Sequence, residues 1–192
     1  GIELAYGIAE ELQKAQRSLL HFTISGCAAS FKLKIEEYCS EFYEDRLRYL
    51  LESQRLRNVI LTFRAEGSAG DSARSIVELA NYLFENGKNV VLILQAPTLE
   101  RHINSYLWQA FLSGEGDISA RSIADWSEIN GHVYASLQEL NPGVKIFDLA
   151  EHFCDTDVCF AVRNSQAMYF DDDHMSVFGA RRVASDIFRL LE

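Results

Sequence analysis

Two residues near the C-terminus, Asp171 and His174, have types and a spacing that could do chemistry. They follow a short apolar segment and precede an amphipathic one, so the pattern predicts a loop from which both side chains can turn toward one pocket. A carboxylate that holds one imidazole nitrogen leaves the other nitrogen able to take a proton from a serine hydroxyl. The pair therefore has the character of the orienting half of a hydrolytic triad, whose nucleophile must come from elsewhere.

Three consecutive aspartates, Asp171, Asp172 and Asp173, precede the histidine. On a turn that leads into a helix, side chains at positions i and i+3 converge whereas adjacent ones usually diverge, so Asp171 is the expected partner of His174. One alternative is a solvated acidic turn at the start of a helix. Another is a metal site built from the whole run, but oxygen-rich metal loops usually space their ligands. We therefore predict no metal and no other cofactor.

The segment after His174 has the period of an amphipathic helix. Ser176, directly before the apolar stripe, is the predicted N-cap that ends the loop. The stripe consists of Ala180, Val183, Ala184, Ile187 and Leu191.

Upstream, apolar runs with strand character alternate with helical periods. Such alternation favours parallel strands with helical crossovers, so the predicted fold is a three-layer α/β/α sandwich with a mostly parallel sheet. The predicted helices cover residues 2–18, 34–53, 71–86, 100–111 and 120–140, and the predicted strands cover 19–24, 58–63, 90–94 and 144–148, followed by a hairpin over 160–170.

Composition limits the classes of function. The 192 residues, 48% of them hydrophobic, are expected to form a single domain over 1–192 with a substantial core. A net charge of −10 without a basic run argues against a nucleic-acid partner. The longest apolar run, residues 90–94, is too short to cross a membrane, and residue 1 opens no signal peptide. Any membrane anchor or export signal is expected outside this chain.

The residues from Asp171 to Ala180, read as Asp-x-x-His-Met-Ser followed by Phe-Gly-Ala, resemble the last block of the SGNH hydrolase superfamily. The form is that of periplasmic SGNH domains fused to family-3 membrane acyltransferases. The resemblance extends to Gly26-Cys27 and Cys39 near the start, and to the acidic turn between Cys154 and Cys159. It implies an SGNH, flavodoxin-like sandwich over essentially the whole chain.

The resemblance also implies a place for the nucleophile. SGNH enzymes carry their serine in a Gly-Asp-Ser block after the first strand, at the start of the first helix. This chain begins inside that helix, so we expect the block and the strand before residue 1. A literal Gly70-Asp71-Ser72 occurs as well. Because it follows a glycine-rich loop rather than a buried strand, Ser72 is the less favoured nucleophile.

Two further positions of the resemblance concern the oxyanion. Gly26 corresponds to the glycine whose backbone N–H helps to stabilise the negative charge of the transition state. The asparagine block of many SGNH enzymes should fall near residues 62–64, where this chain has no asparagine. Arg64 could instead contact an acyl or glycan group.

The four cysteines could be reduced core residues, zinc ligands or two disulfides. Zinc is the least expected, because neither the twelve-residue step from Cys27 to Cys39 nor the five-residue step from Cys154 to Cys159 is a compact ligand pair. We predict the bridges Cys27–Cys39 and Cys154–Cys159, because each pair brackets one short loop and the resemblance supports the same pairing. Two disulfides imply an oxidising compartment.

The resemblance predicts a periplasmic or otherwise extracytoplasmic domain, tethered to the inner membrane in the full-length protein. It would accept an acyl group from a membrane acyltransferase domain and O-acetylate a surface polysaccharide or peptidoglycan. His174 would be the general base and Asp171 its orienting partner. The alternatives are a free-standing carbohydrate O-acetylesterase and a non-catalytic glycan-binding or scaffolding module.

Overall fold

The computed structural model describes residues 1–24, 27, 37–64 and 70–192. The helices in this part of the chain are α1 Ile2–Lys14, α2 Glu37–Glu52, α3 Gly70–Glu85, α4 Ile103–Ser113, α5 Ile123–Ile129, α6 Gly131–Ser136, α7 Ala150–Phe153 and α8 Val177–Leu190, with a 3-10 turn at Leu137–Glu139. The strands are β1 Asn58–Thr62, β2 Asn89–Leu94, β3 Ile118–Ser122, β4 Lys145–Asp148, β5 Val158–Arg163 and β6 Gln166–Ala167.

A parallel sheet with the order β1-β2-β4 forms the middle layer. Successive side chains of a strand point to opposite faces, and β2 is buried on both. Val91 and Ile93 pack into a core that also contains the apolar faces of α1, α4 and α8. Leu92 and Leu94 pack on the other side, in a core with α3 and α6. The predicted α/β/α sandwich is therefore confirmed.

A second, antiparallel sheet with the order β3-β5-β6 lies beside the first core. The hairpin from β5 to β6 was predicted, and its turn residues Asn164 and Ser165 have positive φ values of 52° and 61°. The predicted helix over 120–140 is wrong at its start, because β3 continues to Ser122. The Ser122 side chain then accepts a hydrogen bond from the N–H of Asp125 and caps α5.

The predicted strand over 19–24 is also wrong. These residues have no regular secondary structure, and Leu20 and Phe22 are 51% and 38% exposed. In the described part of the chain β1 pairs with β2 alone, and no strand lies beside residues 19–24. An extended segment needs a neighbour for its backbone hydrogen bonds, which an apolar pattern by itself does not provide.

Helices α1 and α8 pack side by side and run in the same direction. Near their starts, Gly7 lies against the backbone of Ala180, where an added Cβ would be 3.1 Å from the carbonyl oxygen. One turn further, Arg181 donates two hydrogen bonds of 2.8 Å to the Glu10 carboxylate. Helix α1 ends at Lys14 rather than at residue 18, because the next residues fold back onto its last carbonyls.

Both predicted disulfides are confirmed. Cys27 is bonded to Cys39 of α2, and Cys154 is bonded to Cys159 of β5, which leaves no free cysteine. Within the described ranges, none of the helices has the length and apolar character needed to cross a membrane.

Helix α8 also packs closely on the chain before the Asp171–His174 loop. A Cβ at Gly179 would lie 2.4 Å from the carbonyl oxygen of Met168 and 3.2 Å from the ring of Phe153. We expect Gly179→Ala to lower the free energy of unfolding by about 1 to 3 kcal/mol, the usual cost of overpacking. Gly131→Ala is the matched control, because an added Cβ there meets nothing within 4 Å. Urea unfolding of both variants measures the difference, and equal stabilities would contradict the tight contact.

Candidate active site

The carboxylate of Asp171 organises the loop before α8. Its Oδ1 atom accepts the backbone N–H groups of Asp173 at 3.0 Å and of His174 at 2.8 Å. Its Oδ2 atom lies 2.9 Å from Nδ1 of the His174 imidazole. The structure thus brings the two predicted side chains into direct contact. The His174 side chain is 55% exposed, so the ring can be reached from solvent.

The loop is closed at its base by backbone and side-chain hydrogen bonds. Tyr169 and Met175 form an isolated antiparallel bridge, and the N–H of Ser176 donates to the carbonyl of Met168. The Ser176 hydroxyl donates to the carbonyl of Ala167 at 2.6 Å and accepts the N–H of Gly179 at 3.0 Å, which makes it the predicted N-cap of α8. These contacts fix where the loop ends and the helix begins.

The segment that follows β2 holds the loop from the other side. The N–H of Leu99 donates to the carbonyl of Asp172 at 2.7 Å, and the N–H of Ile103 donates to the carbonyl of Asp171 at 3.2 Å. Arg64, two residues after β1, reaches the same loop. Residues that follow β1 and β2 therefore meet the Asp171–His174 loop at the carboxyl ends of the parallel strands, where open α/β sheets bind their ligands.

Asp173 is the functional candidate that the sequence did not identify. Its side chain was expected to diverge from His174, but its Oδ1 atom lies 2.8 Å from Nδ1 of the imidazole. Its Oδ2 atom lies 3.0 Å from Nη2 of Arg64. The turn closed by the Asp171 carboxylate directs the Asp173 side chain inward, where it is only 13% exposed. The i, i+3 spacing that identifies Asp171 carries no signal that would distinguish Asp173 from Asp172.

Asp171 is held in its ionised form by its neighbours. Partial burial raises the pKa of this carboxyl, but the backbone N–H groups of His174 and Asp173 and the imidazole together lower it to about 2. An ionised carboxylate at this position can stabilise a positive charge on the imidazole.

An alternative is that the side chains of this loop bind a metal cation. Asp171, Asp173 and His174 each offer one ligand atom within 4.8 Å of the others. However, the Arg64 guanidinium already contacts Asp173 and brings a positive charge to the place where a cation would bind. The donor set therefore fits a charge network better than a metal centre.

Two further site residues were predicted from the sequence, Gly26 as an oxyanion donor and Ser72 as the less favoured nucleophile. Gly26 lies outside the described residues. Ser72 lies in the first turn of α3, next to Asp71, whose carboxylate pairs with Arg74 at 3.9 Å.

Comparisons with known proteins concern the family and the fold. A family model described as "SGNH domain (fused to AT3 domains)" matches residues 2–189. No curated protein matches the chain by sequence. Among solved structures, the fold is similar to the lipopolysaccharide acetyltransferase periplasmic domain of Salmonella ser. Paratyphi A, with a TM-score of 0.69 and 12% identity. The match covers 98% of this chain and 78% of that one.

The lowered pKa of Asp171 predicts how stability responds to acid. A carboxyl whose pKa falls from 3.8 to about 2 on folding stabilises the protein fully above pH 3.8, and this contribution disappears as the pH falls toward 2. We expect the melting temperature of Asp171→Asn to fall less than that of the wild type as the pH is lowered over this range. Circular dichroism melts measure the slope, with Asp172→Asn, a change at an exposed side chain, as the control. Parallel slopes for wild type and Asp171→Asn would contradict the hydrogen-bonding described here.

Proposed function

Because the chain belongs to the family of SGNH domains that are fused to AT3 domains, we propose that it transfers acetyl groups to hydroxyls of a bacterial surface polysaccharide or peptidoglycan. The observation that carries this proposal is the contact between Asp171 and His174, with the imidazole edge open to solvent. The fold that the chain shares with a lipopolysaccharide acetyltransferase periplasmic domain is compatible with it.

In the proposed mechanism His174 is the general base. With its proton on Nδ1 and bonded to Asp171, the imidazole can accept the proton of a serine hydroxyl at Nε2. The serine oxygen attacks the carbonyl carbon of the acyl donor, and the imidazolium returns the proton to the leaving group. A sugar hydroxyl then gives its proton to Nε2 and attacks the acyl-serine, and the imidazolium returns that proton to the serine oxygen as the acyl–serine bond breaks. Asp171 stabilises the imidazolium in both steps.

The nucleophile in this proposal is a serine of a Gly-Asp-Ser block before residue 1. The packing of α1 supports this position. Helices α1 and α8 run parallel, with Gly7 beside Ala180, so their first turns lie at the same end of the helix pair as His174. A residue just before α1 would therefore lie near the imidazole. Ser72 is the alternative.

Two groups would stabilise the oxyanion or hold the substrate. We assign the first role to the backbone N–H of Gly26, and a contact with the acyl or glycan group to Arg64. The Arg64 side chain is 68% exposed and lies at the carboxyl end of β1, beside the imidazole network. An oriented donor of this kind is worth on the order of 3 kcal/mol of transition-state stabilisation.

The cellular setting follows from the disulfides and the family. Disulfides persist in oxidising compartments, and this chain has two, which supports a periplasmic location. The AT3 domain of such a fusion would deliver the acyl donor from the membrane and tether the domain there, and the acceptor would be a surface glycan. A net charge of −10 fits neither RNA nor DNA as a partner.

A free-standing carbohydrate O-acetylesterase is the second candidate. The same dyad serves hydrolysis when water rather than a sugar hydroxyl takes the acyl group. The 55% exposure of the imidazole favours this candidate, because water can reach the ring as easily as a glycan can.

Substitutions in the complete protein test the dyad. We expect Asp171→Asn and His174→Ala to lower acetyl transfer by about 10³- to 10⁴-fold, because the imidazole loses its correct tautomer or is removed. Asp172→Asn is the control and should be nearly neutral. Acetylated glycan is quantified by mass spectrometry, with and without chelator. Equal losses in Asp171→Asn and Asp172→Asn, or inactivation by chelator, would remove the triad assignment.

The position of the nucleophile has its own test. We expect the chain of residues 1–192 to cleave p-nitrophenyl acetate at close to the background rate, because its dyad would lack the serine. His174→Ala provides that background. Cleavage that depends on His174 and disappears in Ser72→Ala would show that Ser72 is the nucleophile and that our placement is wrong.

A further inference from the structure

We propose that Asp173 is a positioning residue for His174, and that Arg64 acts on the imidazole through Asp173. The three side chains form a continuous chain of contacts, from Arg64 Nη2 to Asp173 Oδ2 at 3.0 Å and from Asp173 Oδ1 to His174 Nδ1 at 2.8 Å. The catalytic role of this series of contacts rests on the proposed function, in which His174 is the base. The contacts themselves do not depend on that proposal.

Two carboxylates converge on one ring nitrogen. Asp171 makes the hydrogen bond to Nδ1, at 2.9 Å, and Asp173 makes an ion-pair contact with the same atom at 2.8 Å. Of these two contacts, only the one with Asp171 has the geometry of a hydrogen bond. Asp173 therefore acts on the imidazole through its charge and its close packing.

The charge of Asp173 favours one tautomer of the neutral imidazole. If the proton were on Nε2, the lone pair of Nδ1 would face two carboxylates, which is electrostatically unfavourable. With the proton on Nδ1, both carboxylates face an N–H group, and Nε2 keeps the lone pair that must accept the serine proton. Asp173 thus reinforces the choice of tautomer that Asp171 makes by hydrogen bonding.

Arg64 stabilises the carboxylate of Asp173 beside the ring. The Asp173 side chain is 13% exposed, against 25% for Asp171, and a carboxylate this far from water needs a charged or hydrogen-bonding partner. The guanidinium supplies that partner and offsets the added negative charge. Asp171, Asp173 and Arg64 together present one net negative charge to His174, as a simple aspartate–histidine dyad would. Arg64 also holds the Asp173 side chain in place beside the ring.

Nitrogen NMR of the labelled chain tests the proposal directly. Near pH 9, where imidazoles are ordinarily neutral, the ¹⁵N shifts of Nδ1 and Nε2 report the tautomer ratio, and His174→Gln assigns the His174 signals. We expect Asp173→Asn to lower the ratio of the Nδ1–H to the Nε2–H form by about three- to tenfold. The exposed neighbour Asp172 provides the matched control, because Asp172→Asn should leave the ratio unchanged. An unchanged ratio in Asp173→Asn would overturn the proposal.

A double mutant tests the role of Arg64. We expect Arg64→Gln to lower the ratio in the wild-type background and to have no further effect in the Asp173→Asn background, as for residues that act through one contact. A further shift in that background would show that Arg64 reaches the imidazole independently of Asp173. Because Arg64 is 68% exposed, Arg64→Gln should fold normally, and its shift in the ratio decides the matter even if Asp173→Asn misfolds.

Activity of the complete protein separates this inference from the proposed function. We expect Asp173→Asn to lower kcat for acetyl transfer by about tenfold and to leave KM unchanged, in the range seen when a residue that orients a reacting histidine is lost. A changed tautomer ratio in a protein that transfers no acyl group would leave the positioning role standing and refute the proposed function. An unchanged kcat together with an unchanged ratio would refute the positioning role alone.

Discussion

The geometry of the whole site depends on one carboxylate. Asp171 uses one oxygen to accept two backbone N–H groups of its own loop and the other oxygen to hold the imidazole. The same side chain therefore sets the path of the backbone and the orientation of the ring. The same turn carries Asp173, whose side chain contacts Arg64. The path of the loop backbone and the geometry of the candidate site are here a single arrangement.

Rigid elements hold this loop from several directions. Helix α8 begins at the Ser176 cap, and Gly179 allows it to approach the Met168 carbonyl. The segment after β2 contributes N–H donors to the opposite side of the loop. Backbone hydrogen bonds join the loop to elements whose own positions are fixed by the buried sheet and the two cores. A loop anchored in this way can remain exposed without losing its conformation.

Structural features that local sequence patterns determine could be predicted, whereas features that depend on contacts with residues far away in the sequence could not. The parallel strands and the Ser176 cap follow from apolar periods and a capping residue. Both disulfides follow from short loops between cysteines together with the family resemblance. Residues 19–24 have the composition of a strand, but pairing requires a neighbouring strand, which sequence alternation does not report. The contact of Asp173 with Arg64 joins residues that lie far apart in the sequence, because Arg64 follows β1. The i, i+3 spacing distinguishes Asp171, but only tertiary contact distinguishes Asp173 from Asp172.

The position of α8 has an electrostatic consequence. The peptide dipoles of a helix add up to about half a positive charge at its N-terminus. Helix α8 begins at Val177, shortly after His174, so its positive end lies beside the loop that carries the imidazole. Negative charge that develops on an acyl oxygen there would be stabilised by this backbone field. This contribution requires no side chain, and it opposes the repulsion that a domain with a net charge of −10 would otherwise exert on such an anion.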